Sequence, residues 1–154
     1  MDDQLKVEVV PLSEIMQGDL MPVEKVRRVV LIVDDESVIA DTLSIILSQR
    51  GYATFTAYDG ESAIETARVI APELLISDVM MPGMTGIELA IKLKKMVPDC
   101  EVLLFSGQAA TQDLLQRASA SGYDFDIMTK PVHPDDMLRR VRERLSQQTV
   151  AAAD

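Results

Sequence analysis

Five residues of this sequence have side chains that could together handle a phosphoryl group, and each follows a short apolar run. They are Asp34, Asp35, Asp78, Ser106 and Lys130. Carboxylates packed together resist joint ionisation unless a cation neutralises them, and oxygen ligands beside an open cleft suit Mg²⁺. An aspartate can also attack phosphorus to give an aspartyl phosphate, while a lysine and a hydroxyl stabilise the phosphoryl oxygens. These residue types are therefore typical of magnesium-assisted phosphoryl chemistry.

The elements that would bring these residues together are short buried strands separated by amphipathic helices. Apolar runs, of which VVLIV is the clearest, predict strands at 29–33, 53–57, 74–77, 101–106 and 124–128. Apolar residues at helical spacing predict helices at 36–50, 61–70, about 87–97, 111–119 and from 134 onward. This alternation favours a parallel sheet covered on both faces, whose ligands bind beyond the carboxyl ends of the strands. The sequence therefore predicts that the five residues meet at one edge of the sheet.

Each of these residues also has a simpler explanation. Asp34 and Asp35, together with Glu36, could cap the first helix, since aspartates after strands commonly cap helices or form turns. Ser106 could belong to a turn, and a lone lysine such as Lys130 is most often a solvated surface residue. Such explanations suffice for single residues. They do not explain why chemically matched side chains follow four different strands.

The motifs around these residues resemble those of the receiver domain of two-component response regulators, the module typified by chemotaxis regulators. The matching stretches are VVLIVDDE, LLISDVMMPGMTGIEL, VLLFSG and MTKPV, and the resemblance extends over roughly 28–145. It implies a flavodoxin-like doubly wound α/β fold, with five parallel strands in the order 2-1-3-4-5 and five helices. It also implies a receiver domain at 26–148, with an N-terminal extension at 1–25 and a C-terminal tail at 149–154. The short tail leads us to expect a single-domain regulator without an output domain.

The resemblance further implies a phosphoacceptor and a metal site. Asp78 matches the family's phosphoacceptor. Asp35, Asp78 and the backbone carbonyl of Met80 match the direct ligands of Mg²⁺, for which Mn²⁺ can substitute. Asp34 is expected to act on the metal mainly through a coordinated water.

The same resemblance implies the groups that hold the phosphoryl oxygens. Lys130 is expected to bind one of these oxygens, and Ser106 to donate its hydroxyl to another. Gly107 would leave access beside that hydroxyl because it has no side chain. A cis peptide is expected between Lys130 and Pro131.

One position departs from the family pattern. Three residues before the lysine the family commonly has a tyrosine or phenylalanine, which moves inward when the hydroxyl residue moves, whereas this sequence has Ile127. Tyr123 and Phe125 lie nearby at other offsets, and strand alternation does not require Phe125 to share the environment of Ile127. The departure leaves the phosphorylation chemistry unchanged and bears on signal transmission. We expect Ser106, the loop 107–111 and the fourth helix to move instead.

The composition of the chain limits the kinds of partner and the cellular location that we expect. The formal net charge of −10 argues against a nucleic-acid interface, which needs clustered lysine and arginine. The single cysteine, Cys100, excludes an internal disulfide and fits a small buried hydrophobe. The lone histidine, His133, fits a loop residue or helix cap. No apolar run reaches the ~20 residues of a membrane span, and the acidic N-terminus is not a signal peptide, so we expect a cytoplasmic protein.

Three classes of function are compatible with these residues. The first is a phosphorylation-controlled binding module that receives its phosphoryl group from a sensor histidine kinase and signals to a downstream protein as a monomer or weak homodimer. The second is a phosphorelay intermediate that passes the group to a histidine phosphotransfer protein. The third is a hydrolase of the haloacid-dehalogenase type, which ranks low because that family has Asp-x-Asp on its first strand, whereas Asp34 and Asp35 are adjacent. Apart from its own phosphorylation and dephosphorylation, no enzymatic activity is expected.

Overall fold

Parallel strands and helices alternate along the described part of the chain, as the sequence predicts. The computed structural model describes residues 27–107 and 111–153. The strands are β1 (Val29–Val33), β2 (Ala53–Ala57), β3 (Leu74–Asp78), β4 (Glu101–Ser106) and β5 (Asp126–Thr129). The helices are α1 (Ser37–Ser48), α2 (Gly60–Ile70), α3 (Gly86–Met96), α4 (Thr111–Ala120) and α5 (Pro134–Ala153). Neighbouring strands are parallel and lie in the order β2-β1-β3-β4-β5, the doubly wound order of a flavodoxin-like sheet.

The sheet is buried on both faces because its central strands alternate between two apolar clusters. In β1, Leu31 and Val33 belong to the cluster that packs α2, α3 and α4 on one face. Val30 and Ile32 belong to the other cluster, which packs α1 and α5 on the opposite face. This explains why the run VVLIV contains no polar residue. Within the described residues, no helix is both long enough and apolar enough to cross a membrane.

The start of α3 is set by side-chain capping beside the carboxyl edge of the sheet. Thr85 Oγ1 accepts a hydrogen bond from the backbone N–H of Glu88 at 3.1 Å, and Glu88 Oε1 accepts one from the backbone N–H of Thr85 at 3.0 Å. This reciprocal pair is a capping box, which satisfies two N–H groups that would otherwise lack partners. The helix therefore begins at Gly86, one residue before the predicted start.

The fifth strand begins later than predicted. The sequence predicts a strand at 124–128, whereas β5 spans Asp126–Thr129. Asp124 belongs to the preceding loop, where its Oδ1 accepts a hydrogen bond from the hydroxyl of Ser119 at 2.9 Å. The rings of Tyr123 and Phe125 stack on each other, with centroids 5.9 Å apart. These contacts hold the first part of the predicted strand in the loop.

Candidate functional site

The carboxyl edge of the sheet carries the five predicted site residues. Asp34 and Asp35 follow β1, Asp78 ends β3, Ser106 ends β4 and Lys130 follows β5. The three aspartates offer carboxylate oxygens that all lie within 4.8 Å of one another. Because β1 and β3 are neighbours in the sheet, two segments that are distant in sequence supply this one acidic cluster.

Lys130 supplies positive charge to the cluster. Its Nζ lies 3.1 Å from Oδ1 of Asp78 and 3.7 Å from Oδ2 of Asp34. The backbone N–H of Lys130 donates to the carbonyl of Ser106 at 3.0 Å, which ties the residue after β5 to the end of β4. The peptide bond to Pro131 is cis, as the resemblance implies. The explanation of Lys130 as a solvated surface residue is therefore wrong, since it pairs with two of the aspartates.

Asp34 has two roles that the sequence leaves as alternatives. Its Oδ1 accepts a hydrogen bond from the backbone N–H of Glu36 at 2.9 Å and so shapes the turn before α1. Its Oδ2 faces Lys130, and the residue is only 3% exposed. Glu36 occupies the N-cap position of α1 but makes no side-chain capping bond. The turn-forming explanation is thus correct for one oxygen of Asp34 and leaves the other for the acidic cluster.

The protonation of Asp78 and Lys130 reflects the crowding of negative charge. Burial raises the pKa of Asp78 above its ordinary value, the hydrogen bond and charge of Lys130 lower it in part, and the charges of Asp34 and Asp35 raise it further. Burial lowers the pKa of Lys130, but the hydrogen bond and charge of Asp78, with the charge of Asp34, outweigh burial and raise it. The lysine therefore stays charged, while Asp78 holds a proton more readily than an isolated aspartate. A divalent cation would reverse this preference by favouring the ionised carboxylates.

An open cavity of about 260 Å³ lies over the cluster. It is lined by Asp35, Glu36, Asp78, Met80, Gly107 and Lys130. Glu36 was considered in the sequence only as a helix cap, yet its charge adds to those acting on Lys130. A Cβ added to Gly107 would lie 3.6 Å from Cβ of Lys130, an ordinary contact. Gly107 therefore lines the cavity, but the packing does not require a glycine there.

Ser77 and Gly86 fix the backbone that carries Asp78, and sequence reasoning missed both. The hydroxyl of Ser77 donates to the carbonyl oxygen of Asp78 at 2.9 Å, and Ser77 is fully buried. A Cβ on Gly86 would lie 2.1 Å from that same carbonyl oxygen, so the first turn of α3 touches the end of β3. The signal available in the sequence was a hydroxyl residue at the end of the otherwise apolar run LLIS.

Ile127 packs against the same apolar cluster as two aromatic side chains. It packs, half-buried, against the cluster on the α2, α3 and α4 face of the sheet, together with Tyr123 and Phe125. Phe125 therefore shares the environment of Ile127, a point that strand alternation left open. Leu114 and Leu115 of α4 pack against this cluster too.

The remaining two reactive side chains are accounted for by local structure. Cys100 is fully buried, and burial raises the pKa of its thiol to about 12. The predicted role as a small buried hydrophobe is confirmed. His133 Nδ1 accepts a hydrogen bond from the backbone N–H of Asp135 at 3.1 Å, at the start of α5. This contact fits the predicted role as a helix cap.

Comparison with known proteins gives one family for most of the chain. The family described as "Response regulator receiver domain" matches residues 30–142. The chain is 37% identical over 125 residues to "Probable transcriptional regulatory protein TcrX" of Mycobacterium tuberculosis, covering 81% of this chain and 53% of that protein. It is 32% identical over 126 residues to the alkaline phosphatase synthesis transcriptional regulatory protein PhoP of Bacillus subtilis, covering 82% of this chain and 52% of that protein. The chain thus spans about half the length of the curated relatives it matches.

Solved structures with a similar fold point to the same family as these relatives. A CheY-like response regulator receiver domain protein from Methanospirillum hungatei superposes with a TM-score of 0.74 at 28% identity, covering 81% of this chain and 98% of that chain. The chemotaxis protein CheY4 of Vibrio cholerae superposes with a TM-score of 0.68 at 28% identity, covering 76% of this chain and 98% of that chain. Each of these two superpositions covers nearly the whole of the solved chain.

Proposed function

The chain belongs to the response regulator receiver domain family, and on this premise we propose that it is a Mg²⁺-dependent phosphoacceptor. Asp78 takes a phosphoryl group from a partner histidine kinase, and the modified protein signals by binding another protein. The observation that supports this most directly is the position of Asp78. It ends β3 at the floor of an open cavity, 3.1 Å from Lys130 and within 4.8 Å of two further aspartates.

The donor set fits Mg²⁺. Three carboxylates supply oxygen atoms beside an open cavity, and hard cations that keep several waters prefer such ligands. Asp35 and Asp78, with the backbone carbonyl of Met80, would hold the metal directly, and Asp34 would act through a coordinated water. When bound, the metal neutralises phosphoryl oxygens and the crowded carboxylates. Mn²⁺, which also accepts oxygen ligands, would substitute.

The transfer itself uses groups of this chain. An ionised oxygen of Asp78 attacks phosphorus in line with the leaving imidazole nitrogen of the kinase phosphohistidine. The O–P bond forms as the P–N bond breaks, and the imidazole departs with the electron pair of that bond. Lys130 and Ser106 bind the equatorial oxygens, because catalysis of phosphoryl transfer rests chiefly on positioning and charge stabilisation.

Membership of this family bears differently on each of the alternative functions. It is a family of regulators rather than a classical enzyme family, so the hydrolase alternative loses its basis. A relay that hands the group to a histidine phosphotransfer protein would use the same residues and stays a second candidate. Several relatives are named DNA-binding response regulators. For this chain, the prediction of no contact with nucleic acid continues to rest on its net charge of −10.

The proposed domain limits are a receiver domain at 26–148 with flanking segments at 1–25 and 149–154. The family match at 30–142 falls inside the receiver limits. The N-terminal extension lies outside the described residues, and the proposal assigns it no role in the phosphoacceptor site.

Acetyl phosphate and Mg²⁺ provide a direct test. We expect the chain to gain one base-labile phosphoryl group, and Asp78→Asn to abolish the gain without loss of fold. Mg²⁺ alone should raise the melting temperature, because binding to the native state stabilises by ~2.7 kcal/mol at a hundredfold excess over Kd. Asp35→Asn should weaken that shift strongly. A melting temperature indifferent to Mg²⁺, or full labelling of Asp78→Asn by mass spectrometry, would overturn the assignment.

A further inference from the structure

Ser77 is a buried hydroxyl residue for which the proposed phosphoryl chemistry has no use. It precedes the phosphoacceptor, is fully buried, and donates its hydroxyl hydrogen to the carbonyl oxygen of Asp78 at 2.9 Å. Polar groups buried in a packed interior are costly unless they are hydrogen-bonded, so a serine at such a position satisfies a specific need. Here the group that needs a hydrogen-bond donor is the backbone carbonyl of Asp78.

The first turn of α3 presses against the carbonyl of Asp78. A Cβ at Gly86 would approach the Asp78 carbonyl oxygen to 2.1 Å and the hydroxyl oxygen of Ser77 to 3.0 Å. The backbone of α3 and the end of β3 are therefore in direct contact at this point. The Ser77 hydroxyl lies in the same contact region and provides a donor for a carbonyl that this packing shields from water.

The peptide unit between Asp78 and Val79 is thereby held at both of its polar ends. Its carbonyl accepts the Ser77 hydroxyl, and its N–H, which belongs to Val79, donates to the carbonyl of Phe105 in β4 at 3.0 Å. The carbonyl of Val79 in turn accepts the N–H of Gly86 at 2.8 Å and closes the loop. Since a peptide unit is planar, bonds at its two ends fix its orientation.

We propose that Ser77 is a positioning residue for the phosphoacceptor site. Its hydroxyl sets the orientation of the peptide unit between Asp78 and Val79, and so aligns the carboxylate of Asp78 with the backbone carbonyl of Met80, two residues further on. The inference rests on the proposed function, because those two groups are the proposed phosphoacceptor and metal ligands. Ser77 touches neither metal nor phosphate and acts through Asp78.

The test compares two substitutions at Ser77 with a control elsewhere. Ser77→Ala removes the donor, and Ser77→Cys keeps a side chain of similar size but donates only weakly. The control is Ser44→Ala, since the hydroxyl of Ser44 in α1 makes a 2.7 Å side-chain hydrogen bond with Thr54, which lies near the beginning of β2 and not at its carboxyl end. Mg²⁺ affinity and the rate of labelling by acetyl phosphate at saturating Mg²⁺ are measured on full-length chains, at a temperature where each variant is folded.

Ser77→Ala and Ser77→Cys should both bind Mg²⁺ about 3- to 10-fold more weakly and be labelled more slowly by a similar factor, as expected for one lost hydrogen bond. Ser44→Ala should match the wild type in both measurements. Wild-type values in folded Ser77→Ala, or full recovery in Ser77→Cys, would overturn the inference and leave the proposed function intact. If Ser77→Ala does not fold, Ser77→Cys decides the matter alone. A wild-type chain that neither binds Mg²⁺ nor becomes labelled would overturn both proposals.

Discussion

Two half-buried aspartates, Asp78 and Asp126, lie on the same sheet and have opposite electrostatic surroundings. Burial raises the pKa of both carboxyls, but at Asp126 the hydrogen bonds and charges of Arg140 and Arg144 outweigh burial and lower it below its ordinary value. At Asp78, one lysine opposes burial and two neighbouring aspartates, and the pKa ends above its ordinary value. Two arginines outweigh burial at Asp126, whereas a single lysine at Asp78 does not outweigh the deeper burial and the two neighbouring aspartates.

The contrast indicates that the two regions are held together by different means. Around Asp126, Arg144 bridges β5 to β4, because its guanidinium contacts Asp126 at 3.0 Å and Glu101 at 3.3 Å. Opposite charges are matched there and stabilise the structure. At the carboxyl edge three aspartates face a single lysine, and the end of β3 that bears Asp78 packs closely against Gly86 of α3. Perturbed carboxylates that lack matched partners are typical of functional sites.

The sharpest test of the backbone contact is Gly86→Ala. Its Cβ would meet the carbonyl oxygen of Asp78 at 2.1 Å, so α3 and the end of β3 must separate. We expect a loss of about 3 kcal/mol or more in the free energy of unfolding, measured in urea. Gly107→Ala is the matched control, since its Cβ would make only an ordinary contact at 3.6 Å, and it should stay within about 0.5 kcal/mol of the wild type. Equal stabilities for the two variants would contradict the packing role of Gly86.

Asp126→Asn tests the region around Asp126, where opposite charges are paired. Removing this charge leaves two arginines without their shared partner, and we expect a loss of about 1–2 kcal/mol at neutral pH, since the pairs are only partly buried. The folded-state pKa of Asp126 is lowered, so its contribution is present above the unfolded pKa and lost as pH falls through the folded pKa. The wild type and the variant should therefore converge in stability at acid pH. A difference that persists in acid would mean that shape, rather than charge, accounts for the loss.

Asp78→Asn should have the opposite sign and the smallest effect. Without Mg²⁺, removing one of three crowded carboxylates should raise the free energy of unfolding by about 0.5–1 kcal/mol at neutral pH, as is common when a functional site is neutralised. Because the folded-state pKa of Asp78 is raised, its ionisation costs stability as pH rises through that pKa, and the gain should vanish at low pH. Saturating Mg²⁺ should reverse the ranking, since only the wild type keeps all three carboxylates. A destabilised variant in metal-free buffer would show that the Lys130 pair outweighs the repulsion.

The sequence predicted the parts of the molecule that have a periodic or positional signal. The strand at 29–33 was correct because a buried parallel strand reads as an unbroken apolar run. The gathering of Asp78 and Lys130 followed from one rule, that parallel strands end at a common edge. The predicted start of β5 was wrong because the rings of Tyr123 and Phe125 stack on each other in the preceding loop. The alternation of apolar and polar residues along a strand does not reveal such a contact between side chains.

The supports of the site could not be predicted in the same way. Ser77 ends an apolar run, and the sequence does not show which helix will lie over it. The need for a glycine at Gly86 depends on the distance between α3 and the end of β3, which is set by packing across the sheet. Glu36 was assigned to a helix end, and only the fold shows that it also lines the cavity.

The burial of Cys100 has a practical consequence for experiments on movement in this protein. It is the single cysteine of the sequence, and the thiolate is the form that reacts with maleimides. Burial raises the pKa of this thiol far above neutral and also shields the sulfur from reagents, so very little reactive thiolate is present at pH 7. A cysteine placed at the exposed position Gln112 on α4 would therefore take up a fluorophore or spin label alone, without removal of the native residue. The wild-type chain thus already serves as the unlabelled background for following α4 when beryllofluoride is added.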